Sequence, residues 1–266
     1  MTGRLRGVAL VLIVHAASAG CATEGRPARA AADPPLARAI VTVEDVQRSI
    51  DDEKVFAQSY DRLPRPGEPW FVVLDGCAEV LLTAPHATKP TRDGALRFAD
   101  TGTGSLATSL HRLTGARVIH TTLASPSDPN YYDDNDFKAA VAAALTARKP
   151  VLVIDLHGSH DFRPYDVDFG TMGRRSLLGR DDLLAALSAA LRAEGLSNQS
   201  LDFFAAATSR TITRWVAARG VPAIQLEVNS TWLSPGAGRL DAHRHAQLLQ
   251  GLARFIASQG CAKRPS

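Results

Sequence analysis

The chain reads as an α/β protein with a mixed, mostly parallel central sheet and helices on both faces. Two observations predict it. Apolar runs of strand length alternate with segments whose apolar residues recur at helical spacing, the pattern of a sheet wound with crossover helices. Of 266 residues, 45% are hydrophobic and 21% charged, enough to fill the core of one such domain and too apolar for a disordered chain.

Taken in order, Phe71–Leu74, Val80–Thr83, Val118–Thr121, Val151–Asp155 and Ala223–Val228 read as strands. Between them Leu106, Leu110 and Leu113 recur at i, i+4 and i+7 and mark a helix. Leu184, Leu187 and Leu191, at i, i+3 and i+7, mark a second, with Asp181 as its candidate cap. Leu248, Leu252, Phe255 and Ile256 mark a terminal helix.

Ahead of this domain, residues 1–20 have the form of an export signal. Arg4 and Arg6 are followed by an apolar run from Val8 to Ala17, broken only by His15 and too short to span a bilayer, and then by Ser18-Ala19-Gly20-Cys21. Small residues directly before a cysteine resemble a bacterial lipobox. That reading makes Cys21 the acylated first residue of a lipoprotein held on the extracytoplasmic face of the cell envelope; ordinary secretion is the alternative. Residues 21–39 are Ala-, Pro- and Arg-rich without apolar periodicity and read as a flexible tether, so the domain is expected over residues 40–266. Without Arg4 and Arg6, 28 basic residues face 27 acidic ones, and that balance excludes a nucleic-acid partner. Cys77 and Cys261 match no metal-binding spacing; a disulfide between them and two separate buried thiols are both open.

In open α/β sheets, chemistry gathers just beyond the carboxyl ends of strands. The Val80 strand runs into His86, the Val151 strand into His157 and Gly158, and Ile224-Gln225-Leu226 into Glu227. An imidazole on a rigid strand end can offer a nitrogen to a cation, and a strand-end carboxylate is costly to bury unpaired. Asp155, two residues before His157, shares its face of an extended strand. It is expected either to orient an imidazole or to accept backbone bonds. His160, His243 and His245 read as structural or surface residues.

Together A-P-H-A-T (84–88), A-D-T-G-T-G-S-L-A (99–107), I-D-L-H-G (154–158) and I-Q-L-E-V-N (224–229) resemble motifs of the N-formylglutamate amidohydrolase family. That family shares its fold with zinc carboxypeptidases and resembles poly-γ-glutamate hydrolases. The resemblance runs from about Val72 to Phe255. It implies one zinc ion held by His86, His157 and a carboxylate, with Glu227 as the acid/base group. Asp100, opening Asp100-Thr101-Gly102 before a helix, is the favoured carboxylate, and Asp93 in Arg92-Asp93-Gly94 the alternative, with a ready role as a turn residue.

The implied activity is hydrolysis of a C–N amide bond in an N-acyl amino acid or γ-glutamyl compound. The alternatives are an extracytoplasmic peptidase or cell-wall amidase, or a non-catalytic binding lipoprotein on the same scaffold. A carboxylate-bearing substrate calls for an Arg fork, with Arg163 favoured over Arg210 and Arg214 because it follows the His157 strand end. The polar run Ser127-Asp128-Pro129-Asn130-Tyr131-Tyr132-Asp133-Asp134-Asn135-Asp136 falls where the family shows a short Ser-Arg…Asn-Arg pattern, and its arginines are missing here. The run reads as a pocket wall or as an acidic surface loop.

Overall fold

The computed structural model describes residues 38–261. The export signal, Cys21 and nearly all of the tether lie outside the described residues. The chain enters through helix α1 (Val43–Ala57), started by a capping box in which Thr42 and Asp45 bond each other's backbone N–H groups. Strands β1 (Phe71–Leu74) and β2 (Val80–Ala84), a hairpin of β3 (Thr91–Arg92) and β4 (Ala95–Leu96), and helix α2 (Thr103–Thr114) follow. Next come β5 (Arg117–Thr121), α3 (Asp136–Ala147), β6 (Leu152–Ser159), β7 (Val167–Gly170), α4 (Asp181–Ala193) and β8 (Gln199–Leu201). Helix α5 (Ile212–Ala217), strand β9 (Ala223–Asn229) and helix α6 (Arg239–Ser258) complete the domain.

Seven strands form one sheet in the order β1-β5-β2-β6-β9-β7-β8. Its centre, β5, β2, β6 and β9, is parallel throughout. Strand β1 runs antiparallel on β5 at one edge, and β7 runs antiparallel to β9 at the other, carrying β8. The fold is thus mixed, mostly parallel α/β, with helices on both faces. On one face Leu82, Ile154 and Leu226 pack with residues of α2, α4 and α6. On the other, Leu81, Val153 and Ala223 pack with Phe137 and Val141 of α3 and with Ile212 and Val216 of α5.

The five strands and three helices read from the sequence are present, with ends shifted by a few residues. Asp181 is not a cap. It is the first helical residue of α4, Arg180 stands in the cap position without a side-chain bond, and the Asp181 carboxylate pairs with Arg174. Its charge still suits the helix N-terminus. Cys77 and Cys261 form a disulfide, Cα atoms 4.8 Å apart, with an antiparallel bridge from Ala78 to Cys261 beside it. The bond ties the end of the described chain to the approach to β2 across 184 residues of sequence.

Candidate metal centre

The site grows out of the strand alternation. Thr83, Asp155 and Gln225 lie on the sheet face that carries Leu81, Val153 and Ala223 at the start of each strand, and His157 and Glu227 continue that face. His157 and Glu227 are direct partners across the β6–β9 ladder. His86 follows β2 after the turn at Pro85.

Asp100 reaches the site from the loop before α2. Its backbone N–H donates to the His86 carbonyl at 2.7 Å, and its own carbonyl accepts from Thr103 Oγ1. Gly102 then turns the chain with φ 87°, its Cα so close to Leu233 that a Cβ would stand 2.2 Å from the Leu233 carbonyl oxygen. Only glycine meets both demands. Because Gly102 has no side chain to cap α2, Glu53 of α1 accepts from its N–H at 3.0 Å and from Ser105 Oγ at 2.8 Å. Helix α1 therefore anchors the turn that follows Asp100.

His157 Nδ1 lies 2.7 Å and His86 Nδ1 3.5 Å from the same oxygen, Oδ2 of Asp100. One ligand atom from each of the three residues falls within 4.8 Å of the other two, and the two rings meet edge to face with centroids 4.9 Å apart. The outer nitrogens also meet carboxylates. His86 Nε2 is 2.9 Å from Asp128 Oδ1, and His157 Nε2 is 3.3 Å from Asp155 Oδ2. These partners are held in turn: Asp155 accepts from Thr83 Oγ1 at 2.6 Å, and Asp128 accepts from Arg92 Nε and Nη2 at 2.9 and 2.6 Å. Asn130 places its amide nitrogen 2.7 Å from His157 Nε2 while its oxygen accepts from the Ile212 N–H.

The electrostatics call for positive charge. Burial works against imidazolium at His86, but Asp100 and Asp128 outweigh it and push the group up to about 9. At His157 the same contest, with Asp155 and Asp100 against burial, ends well above the usual histidine range. Asp100 and Asp128 are held below the ordinary carboxylate range, since the histidines, with Arg92 at Asp128, prevail over burial. Two inward Nδ1 atoms, one carboxylate oxygen and outer nitrogens fixed by carboxylates form a donor set that fits a divalent cation, and three protein ligands leave a position open.

The open side faces a cavity of about 380 Å³ lined by His86, Asp100, His157, Arg163, Phe204 and Glu227, among others. Glu227 is 9% exposed and its Oε1 accepts from Gln225 Nε2 at 2.8 Å. Burial, chiefly, pushes its carboxyl up to about 7. Arg163 sits among the rings of Phe162, Phe203 and Phe204, its Nε buried without a partner.

Asp93 stands outside this group. It is an exposed turn residue at φ 52°, bonded to Tyr132 and paired with Arg97. Arg210 is tied to Asp133, and Arg214 reaches the Ala207 carbonyl; neither lines the cavity. Exposed His160 stacks on Phe162 at the cavity mouth, and buried His245 bonds Ser49 and the Trp232 carbonyl and does not line the cavity. The polar run 127–136 proves to be both wall and surface: Asp128 and Asn130 turn inward, whereas Asp133 and Asp134 are exposed. Asp128, Asn130, Arg92 and Gln225 are the site residues that sequence reasoning missed. Gln225 had a signal, its place two residues before Glu227 on one strand face; Asp128 and Asn130 reach the site from a loop and Arg92 from the β3–β4 hairpin outside the main sheet.

No family model and no curated protein matches the chain. Solved structures do. The N-formylglutamate amidohydrolase from Ralstonia eutropha JMP134 is 14% identical, with 71% of this chain and 98% of that one covered and a TM-score of 0.50. A bacteriophage poly-γ-glutamate hydrolase is 14% identical, covering 71% and 86%, TM-score 0.45. A metallo-carboxypeptidase from Pseudomonas aeruginosa is 11% identical, covering 83% and 70%, TM-score 0.47. At such identities the likeness is one of fold, and it is the fold that the sequence motifs implied.

Proposed function

We propose that this chain is a zinc-dependent hydrolase of a C–N amide bond, acting on an N-acyl amino acid such as N-formylglutamate or on a γ-glutamyl compound. The observation that carries the reading is the meeting of His86 Nδ1, His157 Nδ1 and Asp100 Oδ2, with Glu227 beside them across the β6–β9 ladder. The fold shared with an N-formylglutamate amidohydrolase supports it. A zinc ion held by His86, His157 and Asp100 would polarise the amide carbonyl and acidify water. Glu227, its carboxyl pushed up to about 7 chiefly by burial, takes a proton from the attacking water as the carboxylate and returns it to the leaving nitrogen. Gln225 holds the carboxylate in place for that transfer. Arg163, with a buried N–H to spare at the cavity wall, receives a substrate carboxylate.

A second reading, an extracytoplasmic peptidase or cell-wall amidase, draws support from two observations. The Cys77–Cys261 disulfide suits an oxidising compartment, and the polar run lacks the arginines expected of a formylglutamate site. Lipid anchoring at Cys21 accords with that location. Cys21→Ser should free the protein from membranes; a variant that still sediments with them, beside a wild type whose intact mass carries no lipid, refutes the anchor.

Metal analysis of the purified protein should find one divalent ion, lost in His86→Ala and in His157→Ala but retained in Asp93→Ala. Full occupancy in both histidine variants would eliminate the site. Turnover of N-formylglutamate, a γ-glutamyl peptide and a muropeptide then ranks the substrates, and inertness toward all three favours a binding protein.

A further inference from the structure

The sheet face that carries the metal centre has a second cavity at its opposite end. It holds about 800 Å³ and lies between the start of β5 and the end of α3, within the size range of small-molecule sites. Its walls are largely apolar, with Val73, Leu81 and Ile119 from the sheet. Helix α3 opens it by presenting Ala140, Ala143, Ala144 and Ala147, a run at i, i+3, i+4 and i+7 in which no side chain extends beyond a methyl group.

Two arginines, with the exposed Asp75 at the rim, close the polar end. Arg117, the first residue of β5, is 5% exposed, and Arg148 follows α3 directly. Arg117 Nη1 donates to the Ala144 carbonyl at 3.0 Å, and Arg148 Nη2 donates to the Gly76 carbonyl. The remaining donors are unused: Arg117 Nε and Nη2 and Arg148 Nε are buried without a hydrogen-bond partner. Asp75 and Glu79 act on Arg117 only through space, while burial and the neighbouring Arg148 push its guanidinium down. Like charges held together with idle donors in an apolar wall are costly, and an anion between them would remove both penalties.

We propose that this cavity binds an acyl carboxylate, its headgroup accepting from Arg117 and Arg148 and its chain lying along the alanine face of α3. Paired guanidinium forks match a planar carboxylate, and the apolar walls match a hydrocarbon tail.

Titration calorimetry with sodium dodecanoate tests this on the whole mature protein. Dodecanoate should bind at one site, with acetate and dodecanol, which carry only head or tail, at least 100-fold weaker. Arg117→Met and Ala143→Trp should each weaken dodecanoate at least tenfold. The second fills the trough from an exposed helix position and stays informative if the first unfolds. His157→Ala should bind dodecanoate like the wild type, which separates this cavity from the metal centre. Absent binding in the wild type, undiminished binding in Ala143→Trp, acetate binding as tightly as dodecanoate, or loss in His157→Ala would each overturn the proposal.

Discussion

Alternate residues of the same strands meet different fates on the two faces of the sheet. Toward α2, α4 and α6, the triplets Val80/Leu82/Ala84, Leu152/Ile154/Leu156 and Ile224/Leu226/Val228 are apolar from end to end. Toward α3 and α5 the strands begin with Leu81, Val153 and Ala223, then turn to Thr83, Asp155 and Gln225, and go on through His157 and Glu227 to Ser159 and Asn229. Helical cover accounts for the difference. The first face has helices of 12, 13 and 20 residues, and the second has one of 12 and one of only 6. Where the second layer stops, polar side chains are buried against each other instead of against hydrocarbon, and each must find a partner. The candidate metal site of His86, Asp100 and His157 occupies that stretch.

The contrast can be broken most sharply at Glu227. Glu227→Gln is nearly isosteric and lies outside the three-residue ligand cluster, so fold and metal content should persist while turnover falls about 10²–10⁴-fold, in kcat and not in KM. Loss of metal in this variant would make Glu227 a ligand. On the apolar face the reverse should hold. Leu156→Ala, one residue from His157 but pointing to the other side, should cost about 2–5 kcal/mol of stability in urea unfolding and leave the folded protein's metal intact. Equal stability would mean that the core closes over the missing atoms.

A smaller effect follows from His245, buried on the apolar side. Burial pushes it down to about 4, although its bond to the Trp232 carbonyl works the other way. The unfolded chain titrates near the ordinary histidine value, so between there and pH 4 it binds a proton that the folded chain refuses. Stability is then complete above pH 6.5 and declines as pH falls to 4, by up to about 3 kcal/mol. His245→Gln should flatten that part of the curve when unfolding midpoints are compared at pH 7.5 and 4.5; an unchanged slope assigns the acid sensitivity to other groups.

Much of this was legible before the fold. The central strands announce themselves because burial on both faces demands consecutive apolar residues, and His86, His157 and Glu227 stand out as polar residues where those runs end. Strands β7 and β8 were not legible. They are short, and β7 carries Asp168, a buried carboxylate that reads as a loop residue until Ser200 Oγ and the Phe203 and Phe204 N–H groups are seen donating to it. Asp128 and Asn130 were hidden for a related reason, since nothing in a run of ten mostly polar residues marks which two turn inward.

The sequence by itself determined the layered α/β class, the strand ends where chemistry can sit and the residue types present there, because hydrophobic periodicity and local order are properties of neighbours along the chain. Only the tertiary structure decided that Asp100 and not Asp93 meets the two histidines, that Asp128 and Asp155 hold their outer nitrogens, and that Cys77 meets Cys261. Those choices depend on distances between segments far apart in sequence, set by how α1 packs on α2 and α6 and how the loops close over the sheet, and no spacing along the chain encodes them.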